Sequence, residues 1–228
     1  MAGDPLARLD ALDKAWLLAV NGAHAPFLDG FMAAVTDKWV WVPFYLLLIF
    51  LVVRRYGRWS IVALLAVVLT ITLADQWASG FCKPFFARFR PGHCPELEGL
   101  VRHVIGRGDK YGFMSSHAAN TMGLAVITSL FFRSWPYTCL LVGWSALNMY
   151  SRVYLGMHYP FDVLCGAACG GLIGWGCYVL AGFVSRRVNR GAADVSAFPP
   201  VSGREWGAVG AVLVLTLAGC AAYAVAVL

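Results

Sequence analysis

Long apolar runs recur from residue 38 onward, and they leave the chain few ways to fold. In hydrocarbon there is no water to satisfy a backbone N–H or C=O, so each run must close its hydrogen bonds within itself as a helix. Roughly 20 helical residues cross the apolar layer. By that measure the sequence holds six spans, at 38–54, 59–81, 116–133, 136–151, 160–184 and 206–227, the first of them marginal. The expected fold is all-α, a polytopic membrane helix bundle with six transmembrane helices. Residues 5–20 add an N-terminal interfacial amphipathic helix, because Asp10 and Asp13 interrupt its apolar positions. A short helix over 27–36 follows Pro26. No repeat or composition shift divides the chain, so 1–228 reads as a single membrane-embedded domain.

Composition agrees with this pattern: 60% of residues are hydrophobic and only 13% charged, which excludes an ordinary soluble domain. The net charge of +6 does not point to nucleic acid, since the basic residues are scattered between apolar runs. They follow a different rule. Arg54, Arg55 and Arg58, then Arg133, then Arg186, Arg187 and Arg190 occupy turns that parity puts on one side, and the positive-inside rule makes that side cytoplasmic. The long polar loop 82–115 and the stretch 151–162 then share the opposite face, periplasmic or external in a bacterium. Residues 1–20 lack the basic start and small-residue site of a cleavable signal. The seven cysteines have no metal-ligand spacing; Cys82 and Cys94 share one loop and could pair if it faces an oxidising compartment.

Charged groups at membrane depth are costly and usually functional, which draws attention to Arg152, His158 and Asp162 between two apolar runs. Pro160 fits the first turn of the next helix, leaving Asp162 inside that turn, where the helix dipole favours a carboxylate. Such a carboxylate can take a hydrogen bond from one nitrogen of His158 and leave the other free to attack. Arg152 offers a planar fork for a phosphate or carboxylate. In the loop, Lys83 and Arg90 flank a stiff aromatic turn ending at Pro91. Ser115 reads as the N-cap of span three, so the free N–H groups there, that of Ser116 included, suit an oxyanion, with His117 beside them. Asp75, Asn120 and Asn148 read most simply as helix–helix hydrogen-bonding groups. The loop residues 92–112 form a cap over the site or select a head group.

Taken in order, the segments spell Lys-x6-Arg-Pro, Ser-x-His and Ser-Arg-x5-His-x3-Asp. This resembles the type 2 phosphatidic acid phosphatase family of membrane lipid phosphatases, which shares its phosphate site with vanadium haloperoxidases. Met114 and Ser116 stand where that family usually has Pro and Gly. The resemblance implies that His158 is the nucleophile, forming a phosphohistidine, that Asp162 holds its ring, and that His117 protonates the leaving oxygen. It implies a phosphate cradle of Lys83, Arg90, Ser115, Ser116 and Arg152, with no metal and no cofactor. The implied substrate is a lipid phosphate or diphosphate, with a polyprenyl (undecaprenyl) diphosphate ranked ahead of lipid A phosphate and of phosphatidate or phosphatidylglycerol phosphate. An anion or lipid-phosphate transporter is the competing reading; it would need charges at mid-depth, whereas these cluster at one face. The implied setting is the bacterial inner membrane.

Overall fold

The computed structural model describes residues 4–188 and 199–227, so Arg190 and most of the linker after span five lie outside the described residues. The described chain is all-α. Its helices are α1 (Pro5–Gly22), α2 (Pro26–Thr36), α3 (Val42–Tyr56), α4 (Ser60–Asp75), α5 (Lys83–Phe86), α6 (Ser116–Phe132), α7 (Trp135–Tyr154), α8 (Pro160–Val188) and α9 (Gly203–Ala226). Proline opens many of them: α1, α2, α3, α5 and α7 carry one at the first or second position, where a missing N–H costs nothing.

Three helical stretches are long and apolar enough to cross a membrane: Lys38–Phe86, Pro160–Arg187 and Gly203–Ala226. The first contains both of the first two expected spans, divided at Gly57, whose φ of 51° ends α3. The expected third and fourth spans, α6 and α7, do not meet that standard. α6, at 17 residues, is one short of a crossing length, and α7 mixes Asn148, Ser151 and Arg152 into its apolar run. α6 is packed among α4, α7 and α8, and ten of its 17 residues are buried against protein rather than facing outward. A helix wrapped by other helices has no need of an unbroken apolar surface. The outward surface of the bundle is apolar, with Leu46, Ile61, Leu65, Val68, Leu172 and Leu215 all exposed. So large an exposed apolar surface belongs in lipid, and the protein is an integral membrane protein.

Several element boundaries differ from expectation. Lys83 lies on a helix, not in a loop, because a π-helical turn over Gln76–Cys82 carries α4 into α5 without a break. Ser151 and Arg152 belong to the last turns of α7. α9 begins at Gly203 because Ser202 and Glu205 form a reciprocal capping box. Trp41 is buried while Trp39 is exposed: the Trp41 Nε1–H donates to Val35 O at 2.8 Å and its ring packs edge-on against Trp144. Asp75 accepts from Asn120 across α4 and α6 at 3.5 Å, the expected helix–helix contact, whereas Asn148 donates within its own helix to Trp144 O.

Candidate active site

The polar end of the bundle is assembled where α6, α7 and α8 meet the segment that follows α5. Pro160 starts α8, so Tyr159 takes the N-cap place and Asp162 the third position of the helix. Asp162 is fully buried, and its Oδ2 accepts the Tyr159 N–H at 3.1 Å. The same oxygen lies 3.5 Å from His158 Nδ1, a looser approach than the direct hydrogen bond expected between them. His158 is 2% exposed, in the turn between α7 and α8, and burial pushes its imidazole down to about 4 despite the neighbouring Asp162.

Arg152 sits 8% exposed at the end of α7. Its Nη1 donates to Thr36 Oγ1 at 2.8 Å, while its Nε has no hydrogen-bond partner. Thr36 is the last residue of α2, and its carbonyl lies 3.0 Å from His117 Nε2. A carbonyl only accepts, so the hydrogen of that ring sits on Nε2. Carbonyls at a helix C-terminus lack intrahelical donors and carry the negative end of the dipole, which is why an arginine and an imidazole gather there.

Ala87, in the left-handed region, ends α5 and releases a short extended segment. Pro91 keeps Arg90 extended. The segment pairs with 110–112: Arg90 N–H donates to Lys110 O at 3.0 Å and Gly112 N–H to Arg88 O at 2.9 Å. Alternate residues of an extended segment share a face, so Arg88 and Arg90 both turn toward the site and Phe89 turns away. Arg90 is 5% exposed, and burial lowers its pKa. Gly112 separates it from the acid: a Cβ there would sit 2.9 Å from Arg90 Cγ and 3.3 Å from Asp162 Oδ2. Lys83 donates to Ser79 Oγ at 2.9 Å and lies 3.5 Å from Ser116 Oγ, which joins the first motif to the second. Ser115 is the N-cap of α6, as expected, with its Oγ accepting from Ala118 N–H. Its own N–H, however, donates to Asp162 O at 3.0 Å, so this serine ties α6 to α8 rather than presenting a free N–H to the loop.

The structure also brings in residues the sequence reading passed over. Arg88 Nη1 donates to Asp162 Oδ1 at 2.8 Å, and its Nη2 donates to Asp13 at 2.8 Å and to Asp10 at 3.0 Å. Asp13, on α1, is fully buried and its Oδ1 accepts the Phe161 N–H at 2.9 Å, capping α8 from another helix. The buried positions of α1 are Asp13, Leu17 and Asn21, spaced by four but alternating polar and apolar, so no hydrophobic stripe announced this face. The spacing of Arg88 and Arg90 before a proline was the one usable signal. The loop above the site is fastened down: Asn21 exchanges two hydrogen bonds with Arg102, Arg102 forks onto Asp29, and Lys14 pairs with Glu96. Cys82 and Cys94 are free thiols that pack in separate clusters, Cys82 against Ala78 and Met114, Cys94 against Leu97 and Val101.

Buried arginines beside two imidazoles, in a bundle with a lipid-facing surface, belong to the class of membrane phosphohydrolases. The chain is a member of the PAP2 superfamily, whose family model matches residues 59–186, and it is a phosphatase. A lipid A 4'-phosphatase from Bacteroides thetaiotaomicron is 40% identical over 186 residues, 79% of this chain and 82% of the relative. A second, from Porphyromonas gingivalis, is 40% identical over 72% of this chain and 70% of its own. An undecaprenyl-diphosphatase of Sulfolobus acidocaldarius is 29% identical over 68% and 71%. Among solved structures, that of Aquifex aeolicus LpxE matches with a TM-score of 0.54 at 25% identity, covering 73% of this chain and 94% of that one.

Proposed function

We propose that this chain is a single membrane-embedded domain that removes a phosphate monoester from lipid A, the 4'-phosphate first, at the periplasmic face of a bacterial inner membrane. The six-span layout, with α1 along the surface, is the topology that goes with this reading. Polyprenyl diphosphate, ranked first on sequence, gives way here: both relatives at 40% identity carry the lipid A name, and the undecaprenyl-diphosphatase match is more distant. The observation that carries the reading is Arg152. It is buried, and among the described residues it has no carboxylate within salt-bridge distance and an Nε without a partner. A buried guanidinium left unpaired is expensive, and a phosphoryl group supplies the missing anion.

In the reaction, His158 Nε2 attacks phosphorus in line with the departing lipid oxygen, Asp162 stabilises the ring, and a phosphohistidine forms. His117, carrying a second proton on Nδ1 besides the Nε2 hydrogen that it donates to Thr36 O, gives the Nδ1 proton to the lipid oxygen and then takes one from the water that cleaves the phosphohistidine. Lys83, Arg90, Arg152 and the Ser116 N–H hold the phosphoryl oxygens; Ser115, committed to α8, contributes through its hydroxyl hydrogen alone. The leaving oxygen belongs to the lipid, so the acid has to stand between the cradle and the tail. His117 fits that role, since it lines, with Asn120, a 390 Å³ cavity walled by Tyr45, Leu48, Ile71, Leu124 and Trp144.

Two measurements test this. In detergent, purified protein given a panel of lipid A, undecaprenyl diphosphate and phosphatidylglycerol phosphate is expected to show its highest kcat/KM on lipid A, with inhibition by vanadate and none by EDTA. Undecaprenyl diphosphate turning over tenfold faster would restore the other substrate. Leu124→Trp, which fills the cavity, should raise KM for acylated substrate severalfold and leave that for a short-chain phosphate unchanged. The pH profile gives a further expectation. The nucleophile works only unprotonated, and burial holds the His158 imidazole down to about 4. The loss of kcat/KM that it causes should therefore begin as pH falls toward about 4, and not near the ordinary histidine value of about 6.5. A limb centred near 6.5 that vanishes in no other variant would contradict the buried setting of His158.

A further inference from the structure

We propose that Arg88 and Asp13 are positioning residues for the His158–Asp162 pair, and that α1 thereby sets the geometry of the nucleophile. The proposal rests on the phosphatase reading above. Arg88 occupies all the freedom that Asp162 has left. One carboxylate oxygen of Asp162 accepts from Arg88 Nη1 at 2.8 Å; the other accepts from the Tyr159 N–H at 3.1 Å and faces His158 Nδ1 at 3.5 Å. A carboxylate turns easily about its last bond, so with only the Tyr159 contact it could swing its second oxygen off the imidazole. With Arg88 in place, one oxygen is pinned and the other is directed at Nδ1.

Arg88 is itself held by more than Asp162. Its plane lies over the Tyr159 ring, 4.1 Å from the centroid, and its other nitrogen is divided between Asp13 and Asp10. Asp13 acts twice, since the carboxylate that holds Arg88 also accepts the Phe161 N–H one residue before Asp162. Both the side chain of Asp162 and the backbone that carries it therefore refer to one residue of α1. Charge matters as well as geometry. Asp162 facing His158 alone would draw a proton onto the imidazole, and a protonated nitrogen cannot attack. A guanidinium at 2.8 Å takes part of that negative charge, which keeps His158 neutral and nucleophilic. This division of labour explains why two arginines stand two residues apart in one extended segment. Arg88 is spent on acids, with Asp162 and Asp13 fully buried around it. Arg90 touches one exposed acid, Asp109, at 3.5 Å and remains available to an anion.

The test uses the full chain in detergent with Arg88→Ala, Arg88→Lys and Asp13→Asn. Asn at 13 keeps an acceptor for the Phe161 N–H and removes the charge that holds Arg88. In each, kcat on lipid phosphate should fall about 10–100-fold, the usual cost of losing an orienting partner. KM and the vanadate inhibition constant should stay within twofold, because the phosphate cradle is untouched, and guanidinium added to Arg88→Ala should restore part of kcat. A purely structural role predicts otherwise: a lowered Tm, KM and vanadate affinity damaged along with kcat, and no rescue. Either that pattern or kcat within twofold of the parent overturns the proposal. Should Arg88→Ala not fold, Arg88→Lys and Asp13→Asn decide the matter by the same split. An inactive parent protein would instead remove the phosphatase reading, so the two failures are distinguishable.

Discussion

His158→Ala should abolish phosphate release while leaving the protein folded. On the proposed mechanism the imidazole forms and breaks the bond to phosphorus, and no neighbour can take its place. Lys83, Arg90 and Arg152 carry protons, Asp162 is engaged by Arg88 and Tyr159, and His117 is turned to Thr36. Losing a covalent nucleophile costs about 10³-fold or more in kcat, which corresponds to roughly 4 kcal/mol of barrier. The stability change should be small by comparison. The ring is buried, but its Nδ1 lacks a hydrogen bond, so its removal exchanges lost packing for relief of an unsatisfied polar atom. Tm in detergent is therefore expected to move by only a few degrees. Acid-labile phosphate should be trapped on the parent and on His117→Ala, and be missing from His158→Ala. Turnover of His158→Ala near that of the parent, or phosphate trapped on it, would end the assignment.

Much of this site was legible in the sequence because its parts are local. Pro160 two residues before a helical acid forced Asp162 into the first turn of α8, and Ser115 before an apolar run was an N-cap. Both depend on interactions within a few residues, which spacing reports faithfully. What failed to show depends on contacts between distant elements. Asp13 and Arg88 lie 75 residues apart, and each taken alone is an ordinary surface charge on a short helix or a loop. The end of span two was misplaced for a different reason: Pro84 looks like a helix breaker, but the π-helical turn over Gln76–Cys82 carries the helix into α5, where Pro84 fits the first turn, and delivers Lys83 to Ser116. The six expected spans are legible in length and apolarity only in part, since α6 is 17 residues long and enclosed by protein.

Gly170→Ala should be among the most damaging single-methyl changes in the chain. A Cβ at 170 would lie 2.0 Å from Ala119 O and 2.6 Å from Ala119 Cα, which are backbone atoms of α6. Gly166 and Gly174, one turn to either side, meet Ser115 O and Gly123 O at 2.4 and 2.7 Å. The two helices therefore touch backbone to backbone along three turns, and a methyl group can be admitted only by moving one helix off the other. In lipid no hydrophobic effect drives helices together again, so close approach and its dispersion contacts are the cohesion that is lost. Overpacking of this kind costs about 3 kcal/mol, enough to lower Tm markedly. Activity should fall further than stability alone predicts. α6 carries Ser115 and His117, α8 carries Asp162, and the Ser115 N–H to Asp162 O hydrogen bond of 3.0 Å fixes one against the other. A shift of about 1 Å between reacting groups costs on the order of 100-fold in rate. Gly176 supplies the control on the same helix: a Cβ there meets nothing within 4 Å, so Gly176→Ala should leave Tm and kcat unchanged. If the two alanine variants behave alike by thermal unfolding and phosphate release, then the separation of α6 and α8 does not govern the site, and the acid and the nucleophile are held in register by something other than this glycine seam.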